Sequence, residues 1–180
     1  MKSYFTFFLL LISSSNFAQN IEARFIDSYA LTANIFVGTD VQNASYYIQN
    51  NTLKKLDRGK INEYQNFALG KIWKVDILNP LKIIVHYKDF NAIVLLDNQL
   101  NEIQRIRLFE LPTPIIAEAV GIAGQNKLWI YDQNSKQLGT MDLSNFKWQI
   151  LGLPLSSELK YCQTDYNYFY WIDQENEIYQ

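Results

Sequence analysis

Cysteine and histidine each occur once in the 180 residues, as Cys162 and His86. A single cysteine excludes an intrachain disulfide framework and a thiolate metal site, and a single histidine excludes a histidine-rich zinc site. Positive charge is not in excess. Lys and Arg number 16 against 18 Asp and Glu, for a net charge of −2. Nothing supplies the basic face that nucleic acid or an anionic membrane requires, so neither is expected as a partner. With 7 Gly and 4 Pro, the chain is neither collagen-like nor a linker. The N-terminal apolar stretch, Tyr4 to Ile12, falls well short of the ~20 residues of a membrane-spanning helix. Hydrophobic residues make up 48%, which excludes a mainly disordered chain, and an aromatic share of 15% favours strands.

Residues 1–18 are expected to be a cleavable secretory signal. Lys2 provides a short positive start, Tyr4 to Ile12 the apolar centre, and Ser13 to Ala18 the small and polar end. The cut is placed between Ala18 and Gln19, which leaves 162 residues with a net charge of −3. No cysteine lies near that point to carry a lipid anchor. The mature chain is therefore expected in the periplasm or outside the cell.

The rest of the chain repeats. Segments starting at Tyr46, Ile84, Leu128 and Phe169 each combine an apolar and aromatic strand, a short Asp/Asn/Gln turn and a second strand. The first turn residues are Gln49, Asp89, Asp132 and Asp173, at intervals of 40, 43 and 41. In the second copy, strands are read over residues 74–78, 83–87, 92–96 and 103–108. In the third they fall at 117–124, 127–131, 136–141 and 147–151. Ile93, Leu96, Leu100 and Ile103 also fit helical spacing, but the repeat register places a turn at Asp97 to Leu100 and favours two strands. The fourth copy holds an inner strand near 160–164 and a second near 168–172, then stops at Gln180.

Four short antiparallel strands recurring every ~41 residues resemble the blade of a β-propeller, in its secreted NHL-like or quinoprotein-like form. The WD40 signature, the Kelch double glycine and the quinoprotein Trp-docking motif are absent. The resemblance implies an all-β propeller over residues 19–180 with about four blades, roughly 30–68, 70–110, 114–155 and 157–180. The last blade is expected to be incomplete and the ring to be cut short. As the rival expectation, residues 21–31 return as an outer strand of the last blade.

No catalytic constellation stands out. His86 has no Gly-x-Ser-x-Gly elbow beside it and is read as a packing or edge residue. Cys162, between Tyr161 and Gln163, reads as a small buried hydrophobe, with no cation or histidine near it in sequence. Lactonase-type propellers bind calcium through acids in the central channel. Asp89, Asp132 and Asp173 recur at one repeat position, yet that position is a turn, where Asp serves by bonding local backbone. Asp27, Asp40, Asp76 and Asp165 are weaker candidates. Gly121-x-x-Gly124 lacks the companions of a phosphate loop and reads as close packing of an inner strand. Leu111-Pro-Thr-Pro114 reads as an extended linker between blades. No cofactor or metal is implied. Among the terminal aromatics, Tyr168, Tyr170 and Trp171 are the candidate contacts for a ligand or partner. The expected role is a non-catalytic scaffold that binds a protein partner in the cell envelope, for instance as an accessory subunit of a secretion machine. The alternatives are a calcium-dependent propeller hydrolase and a carbohydrate-binding module that takes a glycan on those aromatics.

Overall fold

The computed structural model describes residues 22–25, 28 and 30–180. The expected signal, residues 1–18, lies outside the described residues. Residues 32–180 form one unit. The described residues between 22 and 31 form no strand.

Among the described residues, fifteen strands follow one another in four antiparallel up-and-down sheets. The first sheet comprises β1 (Ile35–Thr39), β2 (Ser45–Gln49), β3 (Thr52–Asp57) and β4 (Lys60–Tyr64). The second comprises β5 (Lys74–Asp76), β6 (Ile83–Tyr87), β7 (Ala92–Leu96) and β8 (Glu102–Arg107). The third comprises β9 (Ala117–Ala123), β10 (Lys127–Asp132), β11 (Gln137–Asp142) and β12 (Trp148–Ile150). The fourth has three strands, β13 (Leu159–Thr164), β14 (Phe169–Asp173) and β15 (Ile178–Tyr179). These are the four blades of a β-propeller, and β1, β5, β9 and β13 are its inner strands. The helical alternative for residues 93–103 is not adopted: β7 pairs with β8 from Ala92–Arg107 to Leu96–Glu102.

The sequence of each strand matches its place in the blade. β6 (IIVHY) and β7 (AIVLL) are buried at every position, because a neighbouring blade covers each face of that sheet. A sheet covered on both faces needs continuous apolar runs rather than alternation. The outer strands β4 and β8 are mostly exposed instead and carry Lys60, Glu63, Glu102, Arg105 and Arg107. Charges on an outer strand discourage pairing with another chain.

Three apolar clusters fill the spaces between successive blades. Tyr46, Ile48 and Leu53 meet Ile83, Val85, Val94 and Leu96 between the first and second. Ile84, Ile93 and Leu95 meet Val120, Leu128, Ile130 and Met141 between the second and third. Ala119, Trp129 and Tyr131 meet Cys162, Phe169 and Trp171 between the third and fourth. No such cluster joins the fourth blade to the first among the described residues. Gly121 shows how closely the inner strands approach. A Cβ added there would lie 2.0 Å from Thr164 Oγ1, so the glycine is the packing residue its sequence context suggested.

Polar ties reinforce these contacts. Asn51 and Asn91 occupy the same hairpin turn of the first and second blades, both with positive φ, a conformation asparagine tolerates well. The Asn51 side chain accepts from the Ile72 amide at 2.8 Å and donates to the Gly70 carbonyl at 2.8 Å. Asn91 does the same one repeat later, accepting from Ala117 N at 3.0 Å and donating to Ile115 O at 2.6 Å. Each asparagine thus holds the segment that leads into the next blade's inner strand. Lys55, 3% exposed, donates to the Asn98 carbonyl at 2.9 Å, while its ammonium lies 5.4 Å from the Tyr46 ring centroid.

Asn91→Ala removes two part-buried hydrogen bonds and places alanine at positive φ. The variant should lose about 2–3 kcal/mol in urea unfolding, and a loss below ~0.5 kcal/mol would show that the turn does not hold the next blade.

Candidate functional site

The inner strands surround a channel. Its two ends form cavities of about 360 and 460 Å³ that share Val37, Lys74, Val75, Tyr161 and Cys162. The end reached by the C-termini of the inner strands is lined by Thr39, Asp40, Asp76, Ile77, Gln163 and Thr164. The opposite end is lined by Ile35, Phe36, Trp73, Glu118, Leu159 and Tyr161.

The carboxylates at the first end are engaged by the protein. Asp76 Oδ1 accepts from the Leu78 amide at 2.9 Å. Its Oδ2 accepts from the Ile122 amide at 2.8 Å and from the Thr164 hydroxyl at 3.3 Å. One carboxylate thus ties the second, third and fourth blades together beside the channel. Asp40 accepts from the amides of Gln42 and Ala44 and from the Tyr46 hydroxyl. Burial and this Asp40 contact push the Tyr46 hydroxyl pKa well above its usual value.

Aromatic side chains dominate the other end. Phe36, Trp73 and Tyr161 remain 57%, 56% and 59% exposed around the same cavity. Beside them the Lys88 ammonium sits 4.7 Å from the Trp73 ring centroid and 2.6 Å from a Glu118 carboxylate oxygen. At the waist between the two ends, Lys74 Nζ donates to the Cys162 carbonyl at 3.1 Å and lies 3.4 Å from its Sγ. The cation missing from the sequence neighbourhood of Cys162 is supplied from 88 residues away.

The residues singled out from the sequence are scattered across the blades. Asp89 lies in a hairpin turn, Asp132 and Asp173 are the last residues of β10 and β14 where those strands enter their turns, and none of the three lines either channel cavity. Asp132 accepts from Ile116 N, Ser135 N and Ser135 Oγ. Asp173 accepts from the Glu175 and Glu177 amides and from the Ser157 and Tyr179 hydroxyls. Asp165 caps another turn, and the Asn167 amide leads the contacts that hold its pKa below the ordinary carboxylate range. Asp27 lies outside the described residues. Among the described residues, no three of Asp, Glu, His and Cys are placed to hold a metal ion.

The three candidate aromatics do not act together. Tyr168 and Tyr170 sit with ring centroids 5.9 Å apart, and Tyr168 is exposed. Trp171 belongs to the opposite face, where it stacks on Tyr179 at 5.0 Å and packs against the third blade. The aromatics that do share a cavity, Phe36, Trp73 and Tyr161, come from three blades. Their common signal in the sequence is a position at or just before the first half of an inner strand, which the repeat register marks.

No family model and no curated protein sequence matches the chain. Its fold is similar to that of several solved structures. A virginiamycin B lyase from Staphylococcus aureus, crystallised with quinupristin as a catalytically inactive form, matches with a TM-score of 0.56 and 17% identity, over 79% of this chain and 48% of the lyase. A streptogramin B lyase matches with a TM-score of 0.52 and 16% identity, over 80% of this chain and 53% of that one. A computationally designed protein matches with a TM-score of 0.56 and 10% identity, over 88% of this chain and 97% of the design. The protein is a β-propeller. The likeness rests on fold alone, and this propeller spans about half the length of the lyases it matches.

His86 is 1% exposed and pairs in register with Lys74. Among the described residues, neither ring nitrogen has a hydrogen-bond partner. Burial, aided by the charges of Lys74 and Lys88, lowers its pKa from 6.5 to about 4. Between those values the unfolded chain binds a proton that the folded chain refuses, so stability falls as pH drops from 6.5 towards 4. This loss should reach ~3 kcal/mol in urea unfolding at pH 4. His86→Leu should lack that component, and an unchanged pH dependence in the variant would refute it.

Proposed function

We propose that the protein is an exported, non-catalytic propeller of the cell envelope that grips a protein partner at one mouth of its channel. The observation that carries this reading is the convergence of Phe36, Trp73 and Tyr161, each more than half exposed, on one cavity. Large aromatics left in water at a concave site gain most when a partner covers them, and they are the residues that dominate binding energy at interfaces. Lys74 and Lys160 beside them add positive charge, and Lys74 makes no ion pair among the described residues. An apolar partner segment that carries an acidic group fits this chemistry. Export follows from the pattern of residues 1–18.

A calcium-dependent hydrolase draws no support from Asp89, Asp132 and Asp173, whose positions are those of turn residues. A glycan site has one observation in its favour, the adjacent Tyr168 and Tyr170. Those two rings are tilted by 46° and present no flat platform, so the channel mouth is the better-supported site.

The test uses the full chain with its own N-terminus, expressed in a bacterial host, with a photoreactive amino acid at position 73, 161 or 168. The reading predicts mature protein that begins at Gln19 in the envelope. It also predicts one discrete protein adduct from positions 73 and 161 that the Phe36→Ala background reduces at least ~10-fold. Unprocessed protein in the cytoplasm would overturn export. Adducts only from position 168, or none, would overturn the mouth as the binding site.

A further inference from the structure

We propose that Lys74 and Cys162 form a reversible covalent cross-link across the channel when the protein meets a peroxide. The Lys74 nitrogen stands 3.4 Å from the Cys162 sulfur, in contact but unbonded, with its chain held by a second hydrogen bond of 3.1 Å to the Cys162 carbonyl. Cys162 is 8% exposed, and both channel cavities include it, so a molecule as small as hydrogen peroxide has a path to the sulfur. No other cysteine exists in the chain to trap an oxidised sulfur as an intramolecular disulfide. Lys74 is the nitrogen nucleophile that the fold brings to it.

The chemistry has two steps. The Cys162 thiolate attacks one peroxide oxygen, the O–O bond breaks, and the departing oxygen leaves as water after protonation. Sulfur is oxidised by two electrons to a sulfenic acid, and the peroxide is reduced. Lys74 then gives one ammonium proton to water, and the resulting amine attacks that sulfur. The S–N bond forms as the S–O bond breaks, the oxygen leaves as a second water, and the nitrogen gives up its proton. Condensation of a sulfenic acid with a nitrogen is established chemistry, and thiols reverse it. Overall, one thiol, one amine and one peroxide give a sulfenamide and two waters.

The bond would join β5 of the second blade to β13 of the fourth, two blades that no apolar cluster among the described residues connects directly. Oxidation would then raise the stability of the fourth blade and narrow the waist of the channel.

The test treats the full chain with about one equivalent of hydrogen peroxide under native conditions, followed by chymotryptic peptide mapping. The expected product is a peptide pair joining residues 74 and 162, with an intact mass ~2 Da below the untreated protein, restored by dithiothreitol. Lys74→Arg keeps the positive charge and the donor to the Cys162 carbonyl while removing the primary amine, so it should abolish the cross-link and leave the circular dichroism spectrum unchanged. Cys162→Ser provides the second negative control. A sulfinic acid at Cys162 or an intermolecular disulfide, with no joined 74–162 peptide, would overturn the proposal. So would an identical mass change in Lys74→Arg.

Discussion

A sheet of four five-residue strands has two faces and almost no interior of its own, so each blade gains its core only by pressing a face against the next blade. Burial between neighbouring sheets is the constraint on which the rest of the structure depends. It explains why every residue of β6 and β7, His86 included, is buried between two neighbours. It explains Gly121, where a side chain would hold the third and fourth blades apart. It also explains the side-chain amides of Asn51 and Asn91, which hold the segment leading into the following blade against the preceding one. The channel follows from the same arrangement: when sheets pack face to face in an arc, their first strands converge.

Much of this organisation is legible in the sequence. Turn residues recur every forty-odd positions, and the limits of β6 and β7 follow from apolar-rich runs bounded by Lys88 to Asn91 and Asp97 to Leu100. Local patterning fails where the controlling contact is distant. Cys162 looks isolated because Lys74 reaches it from two blades away. Asn51 reads as one of several turn asparagines, since its partners at residues 70 and 72 become neighbours only once the second blade is placed. Trp171 resembles an exposed aromatic in a tyrosine-rich run, but strand alternation turns it towards the third blade while Tyr170 points the other way. The two short 3-10 turns, Phe67–Leu69 and Leu108–Glu110, carry no periodic signal at all, being three residues long.

The candidate site shows the same division. The recurring aspartates were the visible chemistry, and they proved to organise turns. The chemistry around the channel comes instead from residues whose neighbours belong to other blades: Lys74 with Cys162, Lys88 with Glu118, and Asp76 with Ile122 and Thr164. Function in such a fold resides in side chains gathered around a shared axis. A repeat register identifies the positions, but the packing of the blades decides which residues meet there.

Coupling between blades through their apolar contacts is therefore the central claim, and native-state hydrogen exchange measures it most directly. Ile93 lies between the second and third blades and is fully buried. Its truncation to alanine should cost about 2–5 kcal/mol and lower the protection of β6, β7, β10 and β11 amides together. Loss of protection confined to β6 and β7, with β10 and β11 unchanged, would contradict the account.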